Sequence, residues 1–172
     1  MEAGMTIRAY RSSDLDEILT LFYDTVHTVN AKDYTSAQLD AWADGRADRE
    51  AWNRSFLAHH TLVALIDGRI AGFADMDPTS GYLDRLYVHR DDQGKGVATA
   101  LCDRLERENL SETYTVHASI TARPFFEKRG YAVVCKQEVQ RHGVWLVNYA
   151  MEKRCTVREK EGDSNGGPAA GK

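Results

Sequence analysis

The segment Gln93-Gly94-Lys95-Gly96-Val97-Ala98 constrains the fold of this chain more than any other. An apolar run, Tyr82 to Val88, precedes it, and a helical pattern from Val97 to Glu108 follows. In that pattern Val97, Leu101 and Leu105 fall on one face, with Ala98 and Cys102 beside them. A strand that turns into a helix through glycines leaves the first helical N–H groups without partners. Those donors form a nest suited to a phosphate, and the helix end adds about half a positive charge. Gly94 and Gly96 let the backbone approach a ligand with no Cβ in the way, and Ala98 keeps the first turn slim. Lys95 either reaches a phosphate oxygen or faces solvent. The segment is neither GxxxxGK[ST] nor GxGxxG, because Thr99 stands where a third glycine would be. On the glycines alone, a left-handed turn with no ligand is the competing reading.

The rest of the chain supplies the elements around this turn. Thr6–Tyr10 reads as a first strand, and Leu15, Ile18, Leu19, Phe22 and Val26 mark a helix over 14–28, with Ser13 as its N-cap. Thr35 to Gln38 has a capping-box pattern that opens a short helix ending near Gly45, and a further helical piece covers 48–57. Strands are expected at 61–66, 69–76 and 82–88, the first two joined by an Asp67-Gly68 hairpin turn. A strand over 114–119 and a helix over 122–129 follow, with Thr121 as cap and Gly130 as the left-handed stop. Strands at 131–139 and 144–151 close the domain through Arg141-His142-Gly143. The boundaries read as one domain over 1–154 and a polar, glycine-rich, disordered tail over 155–172.

Composition narrows the partners. With 172 residues, 42% hydrophobic and 28% charged, the chain suits one globular core, and a net charge of −4 argues against nucleic acid as a partner. A toxin acting on aminoacyl-tRNA is disfavoured on the same ground, since tRNA binding wants a basic face. No apolar run is long enough for a membrane span and no signal-peptide core is visible, so a cytoplasmic protein with no membrane partner is expected. Cys102, Cys135 and Cys155 form no CxxC pair, which argues against a zinc site; Cys102 and Cys135 are expected as packing residues, and no metal is expected.

These features together resemble the Gcn5-related N-acetyltransferase (GNAT) superfamily, of the bacterial small-substrate type. The family's acyl-CoA loop, Q/R-x-x-G-x-G/A, falls on Gln93, Gly96 and Ala98, and Leu86-Tyr87-Val88-His89-Arg90 resembles the end of its fourth strand. Residues 119–131, S-I-T-A-R-P-F-F-E-K-R-G-Y, resemble its late N-x-x-A-x-x-F-Y-E-K-x-G-F. The likeness covers 6–151. It implies an α/β fold of a single domain, with a mixed, mostly antiparallel, twisted sheet splayed between strands 4 and 5 and flanked by helices. It implies acetyl-CoA or coenzyme A as cosubstrate, its pantetheine arm along the main chain of Leu86, Tyr87 and Val88. The pyrophosphate would sit on Gln93, Gly94, Lys95, Gly96, Val97 and Ala98, with Ser119, Phe125, Phe126 and Arg129 bordering the cofactor. Arg129 as an exposed surface cation is the alternative.

The implied reaction is direct transfer of acetyl to a primary amine, with a base to take the amine's proton. Asp84, two residues before Leu86 and expected on its face, His117, sharing a strand face with Ser119, and Asp75 are the candidate bases; each is otherwise a structural or solvated side chain. Phe126 stands where many members have a tyrosine that protonates the thiolate, and it has no proton to give. A non-catalytic acyl-CoA-binding module therefore stays open, as does protein or peptide acetylation. The segment 14–57 has an acidic excess that favours a small cationic acceptor, against the reading of a merely solvated surface. Tyr34, Trp42 and Tyr149 are the candidate acceptor contacts, Trp42 competing with a core role. Sheet edges near the C-terminus leave a homodimer open.

Overall fold

The computed structural model describes residues 4–155; the expected tail lies outside these residues except for Cys155. Seven strands, β1 (Met5–Ala9), β2 (His60–Ile66), β3 (Arg69–Asp77), β4 (Tyr82–Val88), β5 (Thr113–Ser119), β6 (Ala132–Arg141) and β7 (Val144–Arg154), form one sheet in the order β1-β2-β3-β4-β5-β7-β6. Neighbours are antiparallel except β4 and β5, which run parallel. The helices are α1 (Leu15–Thr28), α2 (Ser36–Trp42), α3 (Arg49–Ala58), α4 (Val97–Glu108) and α5 (Arg123–Lys128). Among the described residues, no helix is long and apolar enough to cross a membrane.

The sheet divides two cores. On one face α1, α2 and α3 bury Ile18, Phe22, Val26, Leu39 and Phe56 against Val63, Ile70 and Phe73. On the other, α4 and α5 bury Leu101, Leu105 and Phe126 against Leu62, Ala74, Leu83, Val116 and Met151. Each of these side chains larger than alanine contributes about 1.5–3 kcal/mol by leaving water. The central strand β3 is buried on both faces, which is why it reads as an unbroken apolar run around Gly72.

Local chemistry sets the boundaries. Asp67 (φ 52°) and Gly68 (φ 77°) make the β2–β3 turn, and Thr35 and Gln38 form the capping box of α2. The entrance to α1 differs from the expectation of a Ser13 cap. Asp14 ends a short 3-10 turn, accepts the Arg11 N–H at 2.8 Å, and takes two bonds from Arg8, each 2.8 Å. A charge-assisted carboxylate outcompetes a neutral hydroxyl for that place. Thr121 likewise does not cap α5. Its hydroxyl donates to Asp33 at 2.7 Å, while Ser119 Oγ accepts the Ala122 N–H at 3.0 Å.

Gly72 fixes the height of α4 above the sheet. A Cβ there would lie 2.8 Å from Val97 Cγ1 and 3.0 Å from the Tyr87 carbonyl oxygen. Gly72→Ala should therefore cost about 1–3 kcal/mol in urea unfolding, because the first turn of α4 must be pushed off β3. Unchanged stability would show that Val97 simply moves aside.

Candidate active site

The β4–β5 pairing holds for only two positions, Tyr82↔Thr115 and Leu83↔Val116, and then the strands part. The His89 N–H bonds the Ala71 carbonyl at 2.8 Å, so Gly72 and Val88 form a non-hydrogen-bonded pair. Alternation then turns the main-chain groups of Leu86 and Val88 away from β3 and into the gap. The Val88 carbonyl is already taken, by Gln93 Nε2 at 2.7 Å and Thr25 Oγ1 at 3.2 Å. A cleft of about 320 Å³ occupies the gap. Its walls are Leu83 to Val88 of β4, Val116 to Ser119 of β5, the start of α4, and Phe125 and Phe126 of α5. Thr25, Val29, Asn30 and Trp42 close it from the α1 side.

At one end the cleft meets the glycine loop. Gly94 (φ 75°) and Gly96 (φ 81°) are both left-handed, and a Cβ at either would meet nothing within 4 Å. Glycine is thus required there by backbone conformation, and the space above the loop is open. Gly94, Gly96, Val97 and Ala98 line the cleft, but Lys95 turns aside, its Nζ 3.0 Å from Asp92. The Asp92 side chain is fully buried and also takes both arms of Arg69, at 2.5 and 2.8 Å. These bonds tie the loop to the β2–β3 hairpin and neutralise an anion beside the nest. Sequence patterning missed Asp92 and Arg69, because a pair 23 residues apart leaves no local signal.

The candidate bases separate sharply. Asp75 is fully buried and bonded at both oxygens, by Arg85 at 2.9 and 2.7 Å and by His59 Nδ1 at 2.8 Å. It does not line the cleft, and its lone pairs serve the core. Asp84 and His117 both line it, near its closed end. Asp84 is not on the face expected from its spacing to Leu86. Opposite it the register shifts, Asp75 and Met76 pairing with Arg85 and Leu83, so Asp84 is the extra residue of a β-bulge. Its carboxylate lies 3.4 Å from Arg85 Nη2 and 3.8 Å from His59 Nδ1, on the α3 side, whereas Leu86 packs with the α4 core. The side chain is 35% exposed, and partial burial raises its pKa above the ordinary carboxylate value while Arg85 opposes the shift. The His117 ring meets Tyr82 edge-on at 5.3 Å. His59, Asp75 and Asp84 lie close enough together to suggest a metal site, but Arg85 already occupies Asp75 and brings the balancing charge.

Other expected contacts take structural roles. Arg129 borders α4 instead of the cleft, paired with Asp103 at 2.8 Å and Glu106 at 2.6 Å, and it is mostly buried. Tyr34 is buried; its hydroxyl donates to the Val147 carbonyl at 2.6 Å and accepts the Ile120 N–H at 2.9 Å. It is a strut across β5 and β7, and its loop-like sequence context concealed this. Tyr149 packs on the α4–α5 core, with the Arg123 guanidinium 4.5 Å from its ring centre, away from the α1 side. Trp42 does face the cleft. It also walls a second cavity of about 640 Å³, lined by Phe22, Tyr23 and Trp52 with Asp16, Asp24, Asp44 and Asp48 at its edge. Arg46, Arg49 and His142 offset part of that charge, Arg49 by pairing with Asp16.

The arrangement makes a pH-dependent stability term. Arg69 first, and then Lys95, hold Asp92 at a pKa of about 2, below the ordinary 3.8. A depressed pKa stabilises the fold above the unfolded value and loses that contribution as pH falls through the folded one. Urea-unfolding midpoints should therefore drop between about pH 4 and pH 2, and Asp92→Asn should flatten that limb. An unchanged acid limb in the variant would show that other carboxylates control it.

Comparisons with known proteins agree with this geometry. A family model described as an acetyltransferase (GNAT) domain matches residues 30–153. The uncharacterised N-acetyltransferase YafP of Escherichia coli is 32% identical over 86% of this chain and 95% of its own. The crystal structure of a Gcn5-related N-acetyltransferase from Rhodopseudomonas palustris is 32% identical and superposes with a TM-score of 0.84 over 90% of this chain and 99% of that one. At 16% identity, PaiA N-acetyltransferase from Thermoplasma acidophilum, solved with coenzyme A, shares the fold with a TM-score of 0.70 over 88% and 99% of the two chains. The chain belongs to the Gcn5-related N-acetyltransferase superfamily, and its single α/β unit is an acetyltransferase domain of that type.

Proposed function

We propose that the protein moves an acetyl group from acetyl-CoA to a primary amine of a small cationic molecule, by direct attack in a ternary complex. The observation that carries this reading is the cleft itself: an opened β4–β5 pair runs into a left-handed glycine loop at the start of α4. The nest suits a pyrophosphate, and the main-chain groups of Leu86 and the N–H of Val88, turned into the gap, suit an extended arm. The coenzyme A bound to PaiA, and the acetyl-CoA in YncA from Salmonella typhimurium, support the choice of cosubstrate.

In the reaction the amine nitrogen forms a bond to the thioester carbonyl carbon, and the C–S bond breaks. The proton lost by nitrogen passes to Asp84, directly or through water, and the thiolate takes a proton from water or from His117. Asp84 suits the role because it is within the cleft and its raised pKa makes it a better base than an exposed carboxylate. Phe126, 2% exposed and without a hydroxyl, cannot serve as the acid. A main-chain N–H of β4 facing the gap would stabilise the carbonyl oxygen as it gains charge. The aromatic and acidic walls of the second cavity, which share Trp42 with the cleft, support a cationic acceptor through cation–π and charge attraction.

An amine panel assayed for thiol release from acetyl-CoA tests the reading, and an acyl-CoA-binding module without turnover would release none. Gly96→Glu should abolish CoA binding, since it strains a left-handed position and brings a like charge to the pyrophosphate. Retained affinity would move the site elsewhere. Asp84→Asn should lower kcat by about 10²–10⁴ with CoA affinity intact, and remove an acid limb that lies above the ordinary carboxylate range. A pH–rate profile identical to the wild type would exclude Asp84 as base.

A further inference from the structure

Asn30 is a buried polar side chain in the cleft that the steps above do not use. The residue is 5% exposed and lines the cleft from the α1 side. Its main-chain carbonyl accepts the Asp33 N–H at 3.0 Å, but its carboxamide makes no hydrogen bond to protein among the described residues. The carboxamide is not among the fully enclosed unpartnered groups of the described residues, so its polar atoms open onto the cleft. The cleft is the space from which a partner can come.

Its place in the chain says what that partner touches. On one side of Asn30, the Thr25 hydroxyl is bonded to the Val88 carbonyl on β4. On the other, Asp33 accepts from Thr121 at 2.7 Å and Tyr34 accepts the Ile120 N–H, just beyond β5. The segment 25–34 therefore bridges the two banks of the gap, and Asn30 sits in that span. Its polar neighbours in the cleft are engaged: Thr25 and Gln93 with Val88, and Ser119 with the Ala122 N–H. The charged groups lie at the ends, Asp84 where the strands close and the anion nest at the glycine loop.

A neutral carboxamide offers donor and acceptor in one plane, and the group that satisfies both is another amide. A cation would be held better by a carboxylate, and a phosphate by the nest. We infer that the Asn30 carboxamide hydrogen-bonds a secondary amide of the pantetheine arm, across the gap from the free main-chain groups of β4. The arm is then gripped from two sides, which fixes the distance its thioester travels past Asp84. This inference rests on acyl-CoA being the ligand of the cleft.

Titration calorimetry tests it with CoA and with adenosine 3′-phosphate 5′-diphosphate, the nucleotide part that lacks the arm. Asn30→Leu keeps the volume and removes the polarity; Asn30→Ser fits any packing and removes the reach. Both should weaken CoA about tenfold, the worth of one to two buried hydrogen bonds, and leave the nucleotide affinity unchanged. The melting temperature of the leucine variant should stay close to that of the wild type, because no hydrogen bond to protein is lost. Equal losses for CoA and nucleotide would mark a structural residue and overturn the inference. So would wild-type CoA affinity in both variants, which leaves the acyl-CoA reading standing. A wild-type protein that binds no CoA overturns both readings together.

Discussion

A parallel strand pair that stops after two positions is the constraint on which this molecule turns. Strands β4 and β5 continue for several residues past their last contact, so main-chain groups that a sheet would normally pair stay open. Buried peptide groups must find partners in protein, water or ligand. Here the protein satisfies a few of them, most clearly the Val88 carbonyl, and leaves a lined gap for the rest.

The carboxylates around that gap are sorted by what surrounds them. Asp92 and Asp75 are completely buried, and each is held by a two-armed arginine and a second basic side chain. Removing one partner from such a buried pair costs roughly 3–5 kcal/mol, so both carboxylates belong to the framework. Asp84 has only longer contacts to Arg85 and His59, and it keeps a third of its surface. Partial burial raises its pKa above the ordinary carboxylate value, and Arg85 only partly opposes that. The difference between Asp75 and Asp84 thus lies in the length of their contacts, 2.7 and 2.8 Å against 3.4 and 3.8 Å, and in exposure, with residue type held constant.

The α1 side performs a different task. Trp42 borders both cavities, and the Tyr34 hydroxyl ties the α1–α2 connection to the ends of β5 and β7. This cover brings Thr25 and Asn30 over the gap and places Trp42 between the cleft and the acidic cavity outside it. Tyr34 and Arg129 illustrate a common trade in such sites: residues with binding chemistry are spent on holding walls in place.

The element order, the α/β class and the glycine loop were legible in the sequence, because each depends on local periodicity and on backbone angles that only certain residues adopt. Gly94, Gly96, the Asp67-Gly68 turn and the Thr35–Gln38 capping box each declare their geometry within four residues. What the local pattern could not supply was partnership. Asp84 left its expected face because a single extra residue in β4 breaks the two-residue alternation, and that bulge is defined only against β3. Asp75, Tyr34 and Arg129 were drawn into the framework by partners 10 to 113 residues away. Asn30 gained meaning only when the bridge from Val88 to Ile120 put it over the split. The sequence by itself settled where the backbone turns and where the glycine loop opens a helix, since those follow from short-range sterics. Tertiary structure alone decided which carboxylate is locked into the framework and which amide opens onto the cleft, since hydrogen bonding and desolvation are summed over neighbours that the chain brings together only on folding.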